Sequence, residues 1–336
     1  MANIDLLALE EGGVAYGIES LKLLFWGSNA VGKSTVAMKF PKPLLLMAEA
    51  GGSALKGYKV PIKQKKDFLD VVKQLTDDKT MNSMKEKFQT IIIDCVEDVV
   101  EIFETALCKE FGVRDVGEIQ HLEKGNPNGY SVYRKEFKQQ INRLCSCGYT
   151  VIFISHEELI ELEDGSTYLE PKGTKGDKSS CRFVRDLTDF RFYIKGNGTD
   201  AETGKVIKST AYPLGSKNVF GGSRFDIDAV INPFSAENVI NAIIEAQKRT
   251  AENEDANLEE FVFGSENSYT KEDYFASIKP YAEALFPQYP EIVTDIIARQ
   301  LGDGKKITDA TDTQLVELES IYSQLVSFAN ERGIEV

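Results

Sequence analysis

The sequence has few of the features that mark membrane, secreted or zinc-binding proteins. Its 336 residues contain no run of 18 or more apolar residues, which argues against a membrane-spanning helix. Acidic residues stand in the first 13 positions, where a signal peptide carries basic ones, so we expect no secretion. The five cysteines are an odd number and, with only two histidines, form no paired zinc spacing. These absences favour a cytoplasmic protein with reduced thiols.

Negative charge is plentiful but unevenly distributed. The chain has 53 Asp and Glu against 39 Lys and Arg, a net charge of −14. Residues 251–336 hold 18 of the acidic and 6 of the basic side chains, which leaves 35 and 33 for residues 1–250. The main body is therefore nearly neutral, and the overall charge does not exclude a nucleic-acid partner.

Short apolar runs separated by helical or loop segments dominate the first two thirds of the chain. This alternation predicts an α/β fold with a mostly parallel sheet, over residues 1–250. We expect strands at Leu21–Trp26, Leu44–Met47, Thr90–Asp94 and Tyr149–Ser155, and an antiparallel extension from Phe190–Lys195 and Lys205–Pro213.

The composition becomes acidic and polar near Ala251–Asn257, which indicates a linker. Beyond it, helical patterns occur at Lys271–Phe286, Pro290–Leu301 and Thr311–Arg332. The last of these places apolar residues at steps of three and four, as one face of a helix requires. We therefore predict a small acidic helical domain over residues 251–336.

Residues 27–34, Gly-Ser-Asn-Ala-Val-Gly-Lys-Ser, fit the phosphate-binding pattern G-x-x-x-x-G-K-[ST] between a predicted strand and a helix. Two glycines allow the backbone to curl around phosphates, and the helix start adds a positive dipole end. The lysine neutralises the β- and γ-phosphates, and the serine hydroxyl binds Mg²⁺. The predicted ATP-binding residues are Gly27, Ser28, Asn29, Ala30, Val31, Gly32, Lys33, Ser34 and Thr35.

Three carboxylates are candidates for the chemistry of hydrolysis, one as a metal ligand and two as a base. Asp94 ends a predicted buried strand, where it can hold Mg²⁺ together with Ser34. Cys95 follows it, so the adjacent Asp-Glu pair of many AAA+ ATPases is missing. Glu49, directly after a neighbouring strand, is the candidate base for the attacking water, and Glu97 is the second choice.

The order GSNAVGKST, LLLMAEAGG, TIIIDC, VIFISH and FRFYIKG resembles the RecA-like P-loop NTPase core. It is most similar to the phage and prophage ATP-binding proteins grouped with single-strand-annealing recombinases. The resemblance implies that Glu49 and Lys33 are catalytic and that His156 takes the sensor position where RecA has Gln. It also implies a bacterial host cell. Separately from the resemblance, Cys95 after Asp94 weakens an AAA+ assignment.

After His156 comes an acidic segment, Glu157–Tyr168, and then a basic stretch, Lys172–Arg191, whose first glycines favour mobility. Such a loop beside a nucleotide sensor can follow the backbone of single-stranded DNA, although a solvated surface loop has the same charge pattern. The candidate DNA-binding residues are Lys172, Lys175, Lys178, Arg182 and Arg185.

Two later cations, Lys217 and Arg224, lie where the resemblance suggests a group that reaches a neighbour's γ-phosphate. We therefore expect a homo-oligomer, either a ring or a filament. The alternative is that both are ordinary surface cations.

The acidic C-terminal segment has three possible roles. It can compete with DNA for the basic loop, dock a partner such as a single-strand-binding protein, or keep an oligomer soluble. The sequence does not separate them.

The favoured interpretation is an ATPase that needs ATP and Mg²⁺, binds single-stranded DNA and promotes annealing or strand exchange in phage-type recombination. One alternative is a stand-alone P-loop NTPase or small-molecule kinase, with the basic stretch as a lid. Another is a nucleotide-gated interaction module in phage replication or defence.

Overall fold

The computed structural model describes residues 11–49, 54–77, 79–122, 128–162, 164–173, 182–260, 270–311 and 314–334. Two compact units are present: a large one, residues 12–76 and 80–263, and a small one that contains residues 264–336. The large unit is α/β and the small one is helical, which confirms the predicted fold class.

An eight-stranded sheet forms the centre of the large unit, in the order β10-β9-β2-β6-β5-β3-β4, with β11 also paired to β9. Strands β2, β3, β4, β5, β6 and β9 are parallel, and β10 and β11 run antiparallel to β9. Their bounds are β2 Lys22–Trp26, β3 Pro43–Met47, β4 Tyr58–Pro61, β5 Thr90–Asp94, β6 Thr150–Ser155, β9 Phe190–Lys195, β10 Thr210–Tyr212 and β11 Gly222–Ser223.

Helices cover both faces of this sheet. Their bounds are α1 Lys33–Ala37, α2 Lys65–Leu75, α3 Met81–Lys87, α4 Val96–Phe111, α5 Ile119–Leu122, α6 Gly129–Ser146, α7 Arg182–Leu187 and α8 Ala236–Asn253. A small parallel pair, β1 Val14–Tyr16 and β12 Leu258–Glu260, completes the unit together with the antiparallel hairpin β7 Glu157–Glu161 and β8 Thr167–Pro171.

Successive residues of a strand point to opposite faces, and this alternation explains the nearly continuous apolar runs of the central strands. In β5, Ile91 and Ile93 pack with α2, α4 and α6, whereas Ile92 packs with α1 and α8 on the other face. All three isoleucines are fully buried. A strand covered on both sides favours apolar residues throughout its interior, and its polar residues, Thr90 and Asp94, stand at its two ends.

The predicted strands are present, with two differences. Phe190–Lys195 is a parallel member of the main sheet rather than part of an antiparallel extension, because it pairs with β2. Only Thr210–Tyr212 of the predicted run Lys205–Pro213 forms a strand beside it. Val206 is 80% exposed, and without burial its β-branched side chain gains nothing from strand pairing.

The helical unit contains α9 Lys271–Leu285, α10 Pro290–Leu301 and α11 Leu315–Arg332, close to the three predicted helices. Its core is built from apolar residues of all three, which include Ile278, Val293, Leu318, Ile321 and Leu325. The predicted stripe on the last helix is thus the face that this small core buries.

The acidic stretch at Ala251–Asn257 does not separate the two units. Helix α8 continues to Asn253, and β12 then pairs with β1 in the large unit. The division predicted at residues 250 and 251 is moved to between residues 263 and 264, outside the described residues. Composition placed the boundary too early because α8 ends on solvent-exposed acidic residues.

Among the described residues, no helix combines the length and the apolar composition that crossing a bilayer requires.

Equal truncations at a buried and an exposed leucine test the assigned core. Leu144 of α6 is fully buried, whereas Leu159 of β7 is 64% exposed. We expect Leu144→Ala to lower the free energy of unfolding by about 2–5 kcal/mol, because it removes methyl groups from a packed interior. Leu159→Ala should change it by less than about 0.5 kcal/mol. Denaturant titration gives both values, and equal losses would contradict the assignment.

Candidate nucleotide-binding site

The parallel register brings the ends of four strands to one level. Trp26 of β2 pairs with Ser155 of β6, Asp94 of β5 pairs with Ile154, and Met47 of β3 pairs with Asp94. The segments that follow these strands therefore share one edge of the sheet. Such carboxyl edges are where open α/β sheets bind ligands.

The loop 27–34 leaves β2 at this edge and enters α1. Gly27 has φ 146° and Gly32 has φ 89°, both in the region that favours glycine. A Cβ on Gly27 would also collide with the carbonyl oxygen of Ile194 in β9. Ser209 supports the loop by donating a hydrogen bond to the carbonyl of Val31, at 2.8 Å.

Lys33 is the buried cation of this loop, with 6% of its surface exposed. Its Nζ donates to the carbonyl oxygens of Gly27 and Ser28, at 2.7 and 2.6 Å. Burial lowers the pKa of the amine, and the nearby carboxylates of Asp94, Glu97 and Glu157 oppose this effect. A buried ammonium held only by carbonyl oxygens suits a phosphate, which supplies the opposite charge.

Ser34 and Asp94 come together as expected. The Ser34 hydroxyl donates to Asp94 Oδ2 at 2.6 Å. Burial, with the charge of Glu49, raises the pKa of Asp94, and the Ser34 hydrogen bond counteracts this. Two hard oxygen donors beside a phosphate loop form a set that fits Mg²⁺, which usually takes one or two protein ligands and the phosphates of its substrate.

Glu49 and His156 also lie at this edge. A carboxylate oxygen of Glu49, the sulfur of Cys95 and a ring nitrogen of His156 are all within 4.8 Å of one another. Glu49 is exposed, and it follows Ala48, whose N–H donates to the Asp94 carbonyl at 2.9 Å. The two residues predicted to be catalytic with Lys33 thus come from different strands and lie close to each other.

Glu97 has a different role from the one considered for it as a second-choice base. Its Oε1 accepts hydrogen bonds from His156 Nδ1 at 2.7 Å and from the His156 backbone N–H at 3.1 Å. The carboxylate is 7% exposed. It therefore orients the imidazole and leaves Nε2 as the nitrogen that can meet a ligand. Sequence spacing placed Glu97 one turn after Asp94 but did not reveal its partner.

This contact shifts the pKa of both groups. Hydrogen bonding to Glu97 raises the pKa of His156, against the effect of burial. Burial opposes ionisation of Glu97, but the hydrogen bonds from His156 outweigh it and hold the Glu97 pKa below its usual value. The pair favours an imidazolium beside the phosphate loop.

The candidate DNA-binding residues separate into distinct environments. Lys172 is exposed, and its backbone N–H donates to the His156 carbonyl at 2.8 Å. Arg182 begins α7 and is partly exposed, and Lys175 and Lys178 lie outside the described residues. Arg185 is 16% exposed, paired with Glu170 and stacked on the ring of Phe220. Its role is therefore internal packing rather than the basic surface that its charge suggested.

The two candidate trans-acting cations are both exposed. Arg224 pairs with Asp189 at 3.2 Å, next to the start of β9. Because β9 and β2 are parallel, this position is at the sheet edge opposite the phosphate loop. Lys217 lies in the connection between β10 and β11. Arg224 therefore does not belong to the nucleotide site of its own chain.

Comparison with known proteins agrees with a phosphate-binding core. Residues 19–225 match the model of an AAA domain family. The chain is also 32% identical to an SPbeta prophage-derived uncharacterized protein, YorG, of Bacillus subtilis (strain 168), over 96% of this chain and 98% of that protein.

The chain belongs to this AAA domain family. The matched segment contains the phosphate loop, Glu49, Asp94 and His156, so the AAA domain is a P-loop nucleotide-binding core. The expectation of a P-loop nucleotide-binding core is confirmed at this level, and the relative's name is that of a prophage-derived protein. The missing Glu after Asp94, which weakened an AAA+ assignment, therefore does not prevent a match to an AAA domain model. In this AAA domain a neighbouring strand brings the carboxylate of Glu49 to the same edge.

The Glu97–His156 pair predicts a pH-dependent stability. The raised His156 pKa stabilises the fold fully below the ordinary value of 6.5 and loses effect as the pH rises through the folded-state pKa. The lowered Glu97 pKa stabilises it above the ordinary value of 4.5 and loses effect as the pH falls. We therefore expect Glu97→Gln to lower the free energy of unfolding most between pH 4.5 and pH 6.5, by about 1.5–3 kcal/mol, and by less at alkaline pH.

Denaturant titration of both chains across this pH range measures the difference. Glu101→Gln, an exposed change on the same helix, is the matched control and should show no such window. A loss that is equal at acidic and alkaline pH would contradict a charged pair.

Proposed function

We propose that this AAA domain protein is a Mg²⁺-dependent ATPase whose nucleotide state is coupled to single-stranded DNA, in phage-type recombination by annealing or strand exchange. One observation carries the proposal: Lys33, Ser34 with Asp94, and Glu49 with His156 converge at one sheet edge. This set contains a lysine that can bind phosphate, two oxygen ligands for a metal ion, a base for the attacking water and a γ-phosphate sensor. Phosphoryl transfer to water requires these parts together.

Glu49 is the base in this proposal. Its exposed carboxylate lies beside Asp94 and His156, where it can accept the proton of a water that attacks the γ-phosphate. Ser34 and Asp94 would hold Mg²⁺, which would neutralise charge on the phosphate oxygens. His156, held as a cation by Glu97, can donate a hydrogen bond to the γ-phosphate from Nε2.

The connection between His156 and Lys172 supports coupling to DNA. The hairpin β7–β8 begins directly after His156 and returns to it, because the Lys172 N–H donates to the His156 carbonyl. The next N–H, of Gly173, donates to Glu158 Oε2 at 3.1 Å. A shift of His156 on phosphate binding would therefore move the start of the basic stretch.

An oligomer would complete this arrangement. Lys217 and Arg224 are both exposed, and Arg224 lies at the sheet edge opposite its own nucleotide site, so these cations are candidates to meet the phosphates bound by a neighbouring copy. Light scattering and electron microscopy with ATP and DNA would detect a ring or filament, whereas a monomer under all conditions would favour the kinase alternative.

Glu49→Gln tests the assigned base. We expect it to lower the rate of ATP hydrolysis by about 10²–10⁴-fold, because general-base catalysis contributes this much. Binding of a fluorescent ATP analogue should persist, whereas Lys33→Ala should lose it. Glu101→Gln is the control that removes an exposed carboxylate elsewhere. Full hydrolysis by Glu49→Gln would exclude this residue as the base.

Lys172→Ala tests the coupling to DNA. It should weaken binding to an oligonucleotide and reduce the slope of log affinity against log salt concentration by about one. It should also reduce the stimulation of ATP hydrolysis by DNA. Lys138→Ala, on the exposed side of α6, is the matched control. The measurements are fluorescence anisotropy at several salt concentrations and phosphate release with and without DNA. If the unaltered chain neither binds the oligonucleotide nor responds to it, the DNA part of the proposal is wrong.

A further inference from the structure

Three side chains of unlike chemistry meet beside the phosphate loop. Glu49 follows β3, Cys95 follows β5 and His156 follows β6, and one ligand atom of each lies within 4.8 Å of the other two. Cys95 is 1% exposed, His156 is partly exposed and Glu49 is exposed. The cluster is therefore closed at the sulfur and open to solvent at the carboxylate.

This donor set differs from the Ser34–Asp94 pair in its affinity for metals. Mg²⁺ prefers hard oxygen ligands and gains little from a sulfur. A carboxylate oxygen, an imidazole nitrogen and a thiolate sulfur are together the ligand types of Zn²⁺. Zinc sites with three protein ligands keep a fourth position for water, which the open side of this cluster can supply.

The surroundings of His156 favour a metal ligand. Zinc-binding histidines commonly donate their second ring N–H to a carboxylate, which fixes the orientation of the ring. Here His156 Nδ1 contacts buried Glu97 Oε1 at 2.7 Å, and this leaves Nε2 as the ligand atom. Among the described residues, Glu97 Oε2 is buried with no hydrogen-bond partner, so the carboxylate carries negative charge that a nearby cation would balance.

We propose that Glu49, Cys95 and His156 form a binding site for Zn²⁺. Binding forms bonds from Zn²⁺ to the Cys95 sulfur, to His156 Nε2 and to a Glu49 oxygen. It breaks the Cys95 S–H bond and the Nε2–H bond of the His156 imidazolium, and both protons are released to solvent. No residue changes its oxidation state. The sequence alone did not indicate this site, because the three ligands are 46 and 61 residues apart and have no paired spacing.

The site overlaps the catalytic groups. If the proposed function holds, Zn²⁺ on Glu49 and His156 occupies both the base and the γ-phosphate sensor. We therefore infer that Zn²⁺ inhibits ATP hydrolysis reversibly, and this part of the inference depends on the proposed function. Binding itself does not depend on it.

Cobalt titration tests binding without any activity. The full metal-free chain should bind one Co²⁺ and show a near-ultraviolet thiolate-to-cobalt absorption band, which Zn²⁺ then removes. Cys95→Ser should abolish the band, whereas Cys108→Ser, a change to another free cysteine on α4, should preserve it. Absence of the band in the unaltered chain, or its persistence in Cys95→Ser, would overturn the site.

Two further variants distinguish the loss of a zinc ligand from a loss of folding. Glu97→Gln should weaken Zn²⁺ binding by about 10–100-fold, as changes to the partner of a ligating histidine do. His156→Gln removes a ligand at a partly exposed position. Circular dichroism and binding of the ATP analogue show whether each variant is folded, and undiminished Zn²⁺ affinity in a folded His156→Gln would also overturn the site.

A second measurement separates the site from its effect on hydrolysis. Zn²⁺ should inhibit Mg²⁺-supported ATP hydrolysis, a chelator should restore it, and Cys95→Ser should need at least about ten times more Zn²⁺ for the same inhibition. Absence of hydrolysis in every condition would count against the proposed function and leave the cobalt result intact. Zinc binding without inhibition would overturn the inhibitory role.

Discussion

The register of four neighbouring parallel strands is the constraint on which the candidate site depends. Because Trp26, Met47, Asp94 and Ser155 end at one level, the chain segments that follow them meet at a single edge. A slip of one residue would turn the apolar side chains of a strand to the opposite face, and burial on both faces by packed helices opposes it. Because the packed core fixes the register of the strands, it also fixes the relative positions of the site residues.

Two short hydrogen bonds stabilise carboxylates at this edge. Ser34 donates to the partly buried carboxylate of Asp94, and His156 donates to the buried carboxylate of Glu97. Lys33, which is buried between carbonyl oxygens, adds positive charge at the point where the loop curls. A phosphate group entering this edge meets a lysine and an oriented imidazole, while the carboxylates remain available to a metal ion and a water.

The hairpin after His156 extends this arrangement outwards. Its antiparallel pairing brings Lys172 back to the residue before the hairpin, so His156 and the start of the basic stretch share a hydrogen bond. The sequence pattern of this region indicated charge but not the hairpin, because Leu159 is exposed and the strands alternate only weakly. It also did not separate Lys172, which faces solvent, from Arg185, which packs against Glu170 and Phe220.

The sequence by itself determined the features that depend on local pattern. These are the α/β class, the central strands, the three C-terminal helices and the phosphate loop, because apolar periodicity and the glycine-lysine spacing are local properties. Only the tertiary structure decided which side chains meet: Glu97 with His156, and both Glu49 and Cys95 with that same histidine. These contacts join residues from separate strands, and their distances depend on strand order and register, which no local pattern contains.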